Sequence, residues 1–370
     1  MWRDCALILV ATRVAFLLIA YLAMLWFTRR AGTTTEGFLE IWARWDASDH
    51  FFRVAEDGYT GSEADPLGTA FFPLFPLLLR ALSATGLSLV ASGMIISAIC
   101  SLIAFVYLYR LAEEEHSAGS GRRAVLYLAL FPTAAFLVAP YSEALFLAGA
   151  IPAFYYARRG RWHLVALPAA VATGARSAGL FLLLALACEL LRQSDLSLRK
   201  VARAGVALLV GAIPAIAYAI YLQVVKGSFL YYLAVQRQGW GREFTNPIQA
   251  LSTTLDAWTR TDFPPELRTN FQIAFRLEVL AVVAGVALFA WTLKRREWGY
   301  AAFVGAMMLA LMTSTWYFSV PRMLLTLFPA VLFLVELTLR SRRRHALVLV
   351  AFALTSSAGV ITYTRGFWFF

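Results

Sequence analysis

Cysteine is nearly absent and nowhere clustered. Cys5, Cys100 and Cys188 each fall inside an apolar run, where a thiol behaves as a small hydrophobe, so no disulfide framework is expected. The four histidines show no HxxxH spacing and no CxxC accompanies them, which leaves a zinc centre without ligands. Charge is scarce too, at 15% of 370 residues, and no hydrophilic stretch reaches the length of a soluble domain. A glycine-rich phosphate loop, a dinucleotide fingerprint and a nucleophile elbow are all missing. An energy-coupled pump or a nucleotide-sugar enzyme is therefore not expected. Heptads, internal repeats and low-complexity tracts are missing as well.

Apolar sequence is what the chain has in abundance. Hydrophobic residues make up 60% of it and the mean hydropathy is +0.67, with long apolar runs from end to end. Lipid is the expected solvent, and the expected fold is an all-α polytopic membrane protein with 1–370 as one integral membrane domain. The net charge of +11 does not signal nucleic acid, because the basic residues sit in short links between apolar runs. That is the pattern of cytoplasmic membrane loops. The first run, 5–27, is too long for a removed signal peptide and reads as an uncleaved anchor, with Arg13 snorkelling toward the cytoplasmic end.

Two long links, 28–87 and 226–270, hold 12 of the 22 carboxylates and fall on the opposite, extracytoplasmic side. Further crossings are expected at 88–109, 124–139, 144–157, 204–225, 271–293, 298–313, 323–339 and 346–363. As one helix, 163–191 would carry Arg192, Arg199, Lys200 and Arg203 to the outside, against the positive-inside pattern. A break within Gly174-Ala-Arg-Ser-Ala-Gly179 returns that cluster to the cytoplasm and brings the total to about ten or eleven crossings. The stretch 69–84 is apolar but short and interrupted by proline, which suits a re-entrant or interfacial helix.

Polar chemistry concentrates in Trp42-Ala-Arg-Trp-Asp-Ala-Ser-Asp-His50. On an ideal helix Trp42, Trp45, Asp46, Asp49, His50 and Arg53 share one face. A carboxylate fixed beside the membrane can act as general base toward a hydroxyl, and Asp46 stands among aromatic residues that would partly desolvate it. The same residues also fit a solvated face, with an Asp49–Arg53 pair and Asp46 satisfied by Arg44, His50 or Arg53. Arg176, in the glycine-flanked break, and Arg322, in Trp316-Tyr-Phe-Ser-Val-Pro-Arg322, lie at membrane depth, where an unpaired cation is costly. Each could hold a phosphate through its guanidinium fork or close an intramembrane salt bridge to Glu143 or Glu189. Tyr141-Ser-Glu143 marks the outer tip of a hairpin, and Glu143 entering a span calls for a partner such as Arg176.

Taken in order, these segments resemble the PIG-V family. The likeness is carried by Arg44-Trp-Asp-Ala47 with His50-Phe51, Ala55-Glu-Asp-Gly-Tyr59, Ala70-Phe-Phe-Pro-Leu-Phe-Pro76 and Tyr141-Ser-Glu-Ala-Leu-Phe146. It continues through Ala172-Thr-Gly-Ala-Arg-Ser-Ala-Gly179 and, more thinly, Ser319-Val-Pro-Arg322 with Phe328-Pro329. That family includes the mannosyltransferase adding the second mannose in GPI-anchor assembly, and shorter bacterial relatives. The resemblance implies a GT-C glycosyltransferase-like bundle with a large first extracytoplasmic loop. It implies a polyprenyl-phosphate sugar donor, a lipid or glycan acceptor, an essential acid in that loop and transfer with inversion.

Carried onto this chain, the resemblance makes Asp46 or Asp49 the catalytic base. Arg322, Arg176 and His50 would meet the donor phosphate, with Trp45, Tyr59, Tyr141 and Glu143 supporting the substrate. The leaving phosphate needs charge neutralisation, which two arginines or a divalent metal (Mg or Mn) would supply. Asp46 and His50 stand one residue further apart than in the family pattern, so both aspartates stay open as the base. The larger hydrophilic insertions of GPI-pathway members are missing, which fits the bacterial type, in a plasma membrane with its site facing outward. Two rival functions remain: a flippase for lipid-linked sugars, which needs arginines but no outer acid, and a non-catalytic subunit of a glycosyltransferase complex.

Overall fold

The computed structural model describes residues 1–27, 37–60, 64–193 and 197–370. Within these residues the chain is helical, with an isolated bridge between Phe244 and Ser314 as its one extended pairing. Helix α1 covers Trp2–Trp26, followed by two short segments, α2 (Phe52–Asp57) and α3 (Leu74–Ser83), and then the long α4 (Leu89–Glu115). Next come α5 (Ser120–Ala129), α6 (Glu143–Arg158), α7 (Ala166–Ala175) and α8 (Ala178–Arg192). The second half holds α9 (Leu198–Lys226), α10 (Tyr231–Trp240), α11 (Pro247–Asp256) and α12 (Pro265–Lys294). It closes with α13 (Trp298–Met312), α14 (Val320–Thr326), α15 (Pro329–Thr338) and α16 (Arg342–Thr364).

The chain is an integral membrane protein. Among the described residues five helices, α1, α4, α9, α12 and α16, are long and apolar enough to cross a bilayer. On α1 the exposed face is Leu7, Val10, Val14 and Leu18, apolar residues at helical spacing that only lipid would cover favourably. The pair α14–α15 makes a sixth candidate, bent by 81°. Pro329 opens α15 at the bend, as expected where a ring without an N–H stops a helix from continuing.

The expected straight crossing at 323–339 is thus broken. Helix α5 stops at Ala129, and the chain then passes Pro132 into a tight turn at Ala134–Leu137, so 124–139 is only half helical. Several expected crossings are therefore helices of 10–16 residues packed in the interior, because glycine and proline punctuate the runs. Arg13 also departs from expectation. Its guanidinium does not snorkel but donates to Ser101 Oγ at 2.8 Å and to the Leu137 carbonyl at 2.7 Å, trading water for internal acceptors at mid-helix.

Other expectations hold. Helix α7 ends at Ala175, Arg176 is extended (φ −157°, ψ 155°), and α8 starts at Ala178, so 163–191 is broken at the glycine-flanked site. Gly179 lets the two halves meet, since a Cβ there would lie 2.6 Å from the Thr173 nitrogen. The stretch 69–84 contains the α-helix α3, too short to cross a bilayer. The second long link is not irregular: Asn246 accepts from the Gln249 N–H and Pro247 occupies the first turn of α11, a proline-started capped helix. Of the first long link, 28–36 and 61–63 lie outside the described residues. Its remainder folds back on the bundle, burying Ile41, Trp42, Phe51 and Phe75.

The interior is built from α4 against α6, α6 against α7, α7 against α9 and α8 against α13. Helix α6 lies at the centre with Phe146 and Phe154 fully buried. Its N-terminal end, the α7–α8 break, the first loop and the start of α14 are drawn together by the contacts described next.

Candidate active site

The turn Glu40–Trp42 leads into Trp45, whose backbone is left-handed (φ 54°), and then into a widened π-helical turn over Ala47–Phe51. A left-handed conformation costs a non-glycine residue free energy and persists only when neighbours enforce it. Here the Tyr141 hydroxyl donates to the Arg44 carbonyl at 2.7 Å and the Tyr363 hydroxyl donates to the Trp42 carbonyl at 2.8 Å. The Arg44 guanidinium donates to the Thr364 carbonyl at 3.1 Å, tying the turn to the end of α16.

The single-face helix expected for 42–53 is consequently not formed. Trp42 turns into the core beside Tyr363, and Arg53 is exposed. Trp45, Asp46, Asp49 and His50 face one cavity. A π turn takes up one residue more than an α turn, and it falls within the Asp46–His50 interval.

The cavity holds about 300 Å³ and is also lined by Arg176, Arg242 and Arg322. Asp46 accepts from Arg322 Nη1 at 2.8 Å, and Arg322 Nε donates to Glu143 Oε1 at 2.5 Å. The same Glu143 oxygen accepts from Arg176 Nη1 at 2.7 Å, and that nitrogen also reaches Ser142 Oγ at 3.0 Å. Fully buried Glu143 thus anchors both arginines, and the pairing expected from its entry into a span is present. The Arg322 guanidinium lies over the rings of Phe136 and Tyr141, at 4.5 and 4.6 Å from their centroids, which adds cation–π attraction. Asp49 is exposed at the cavity and accepts from the Ser48 hydroxyl at 2.9 Å. No Asp49–Arg53 ion pair forms among the described residues.

His50 sits on the aromatic wall. Its ring stacks on Phe71 at 4.7 Å and meets Trp240 edge-on at 5.5 Å. Nδ1 lies 2.6 Å from Asp65 Oδ2, while Asp65 Oδ1 accepts from the Leu67 N–H at 3.0 Å. Tyr59 lies behind that wall, donating to the Phe71 carbonyl at 2.7 Å and packing on Tyr218 and Tyr221. Burial holds its phenol protonated well above the ordinary range. Tyr141 contributes a ring to the cavity, but its hydroxyl is spent on Arg44.

Sequence reasoning missed four contributors. Asp65 fixes His50, and buried Glu278 accepts from the Ser319 and Val320 N–H groups at 2.7 Å each, holding the left-handed Ser319 from which α14 starts. Arg242 lines the cavity, and Trp368 packs edge-on to Trp45 at 5.4 Å. Only Arg242 carried a readable signal, as a cation in a link assigned to the side that basic residues avoid. Among the described residues no three His, Cys, Asp or Glu side chains converge as a metal site.

The family model for mannosyltransferase (PIG-V) matches residues 14–241. The chain belongs to that family. Individual relatives align over a shorter stretch. GPI alpha-1,6-mannosyltransferase 2 of Cricetulus griseus is 35% identical over 158 residues, 39% of this chain and 31% of that protein. The proteins of the same name from Homo sapiens and Mus musculus are 36% and 34% identical over 158 and 161 residues, covering 31% and 32% of their lengths. The chain therefore matches about a third of the length of these relatives. The PIG-V match contains Asp46, His50, Glu143 and Arg176, whereas Arg242 and Arg322 lie beyond it.

Proposed function

We propose that this PIG-V member is a membrane mannosyltransferase that moves one mannose from a polyprenyl-phosphate donor to a hydroxyl of a lipid or glycan. The observation that carries the reading is the ion network in which Asp46 shares Arg322 with Glu143 on the wall of a cavity also lined by Arg176. A carboxylate gripped at a fixed position can face an acceptor hydroxyl, while guanidinium groups beside it meet a phosphate. The site lies at the end of the bundle remote from the basic links, which supports an extracytoplasmic reaction.

In the proposed step the acceptor oxygen attacks the anomeric carbon from the face opposite the phosphate, so configuration inverts. The acceptor proton passes to Asp46, the sugar–phosphate C–O bond breaks, and polyprenyl phosphate leaves with the electron pair. Arg322 couples the two halves of this step. A phosphate that draws on its guanidinium loosens the hold on Asp46 and leaves that carboxylate a better proton acceptor. Asp49, exposed and held among the described residues by Ser48, is the less constrained of the two aspartates. Charge on the leaving group falls to the arginines that line the cavity, Arg322 among them.

The test is incubation of purified protein with labelled polyprenyl-phosphate sugars and a membrane lipid extract, followed by product identification. A mannosylated product formed with release of polyprenyl phosphate is the expected result. No product from any of these donors, by protein that is demonstrably folded, contradicts the proposal.

A further inference from the structure

Among the described residues two large apolar grooves adjoin the cavity. One, about 670 Å³, runs between α8, α9, α10 and α13 and is walled by residues such as Phe181, Ala219, Leu222, Leu233 and Met307. It shares Arg176, Ser177, Tyr232, Gln236 and Arg242 with the polar cavity. The other, about 610 Å³, lies among α12, α14, α15 and α16 and meets the cavity only at Trp368, Phe369 and Phe370. Among the described residues no charged side chain lines it. A lipid with an anionic head needs an apolar channel ending in cations, and of these two grooves the first offers that, its carboxylate Glu243 being paired with Arg237.

At its junction the two arginines differ. Arg176 is already neutralised by Glu143. Arg242 makes no ion pair among the described residues, and its hydrogen bonds, to Gln236 Oε1 and the Phe318 carbonyl, are both 3.4 Å, near the limit for N–H···O. Loss of water contact pulls its guanidinium below the ordinary value, against the opposing influence of Tyr232, Asp46 and Glu278. A half-buried, underbonded guanidinium with a planar fork has its donors available for a phosphate.

Resting on the donor class proposed above, we infer that Arg242, beside Arg176, receives the phosphate of the lipid-linked sugar, and that the groove between α8, α9, α10 and α13 receives its isoprenoid chain. The sugar then projects toward Asp46 in the polar cavity.

The test is direct binding of a labelled polyprenyl monophosphate carrying no sugar to the full chain in detergent, with the uncharged polyprenol as control. Arg242→Gln should weaken binding of the phosphate at least tenfold without lowering the unfolding temperature, and Arg242→Lys should restore part of it. The polyprenol should bind both proteins equally weakly. Ala219→Trp, which fills the cationic groove, should block the probe, whereas Ala284→Trp in the uncharged groove should not. Asp46→Asn should bind the probe at least as tightly as the wild type does, because it takes a carboxylate partner from Arg322 and removes no phosphate donor. Unchanged binding by Arg242→Gln, or blocking by Ala284→Trp instead of Ala219→Trp, overturns the inference alone. Wild-type protein that ignores the phosphate lipid overturns the donor class and the inference with it.

Discussion

Helix α6 carries an ion cluster at each end, roughly 22 Å apart by helical rise. At its C-terminal end Arg158 is held by Glu115 and Glu297 at 2.5 Å each and by Glu189 at 3.9 Å, with its guanidinium 4.2 Å from the Tyr300 ring centroid. At its N-terminal end Glu143 is held by Arg176 and Arg322. One cluster is a cation ringed by carboxylates, the other a carboxylate ringed by cations. The first ties together the ends of α4, α6, α8 and α13 and would repel an anion. The second opens on a cavity, and its members sit at breaks: the π turn after Trp45, the extended Arg176 and the left-handed Ser319. Pairing alone does not distinguish the two ends. Charge balance and irregular backbone do.

That contrast can be broken by mutation. Glu143→Gln should have the largest effect, because it takes the shared carboxylate from buried Arg322 and partly buried Arg176. Stability should fall by about 3–5 kcal/mol and transfer by about a hundredfold, seen by thermal unfolding and by initial rates on the folded fraction. Arg158→Met should cost a similar 3–5 kcal/mol or so, yet leave kcat/KM of the surviving protein within about threefold. A large kinetic defect there would erase the distinction between the two ends. Asp65→Asn should loosen His50 and lower kcat about tenfold with little change in unfolding temperature. Asp49→Asn should be mildest, with a loss of about threefold, since its one described side-chain partner is the adjacent Ser48.

How much of this could be read in the sequence depended on range. The break around Arg176 was legible because two glycines and the positive-inside pattern both demanded it. The Glu143–Arg176 pair was legible because a carboxylate entering a span has few tolerable states. The membrane class followed from composition. What escaped notice was non-local. Nothing near Glu278 says that it caps a turn 41 residues later, and nothing near Arg322 names Asp46, 276 residues away, as its partner. The ideal-helix reading of 42–53 failed because Tyr141 and Tyr363 hold Trp45 left-handed, an influence that no window of local sequence contains. Arg13 was misread for the same reason, its acceptors lying on α4 and on the turn after α5.

The central claim is that the cation-rich end of α6 is built around Asp46 for chemistry. The most direct measurement compares transfer from polyprenyl-phosphate mannose by wild type, Asp46→Asn and Asp49→Asn at equal amounts of folded protein. The account predicts that Asp46→Asn loses at least about a thousandfold in rate while still binding polyprenyl phosphate, with Asp49→Asn retaining most activity. Near-normal transfer by Asp46→Asn, or a reversal of the two aspartates, would contradict it.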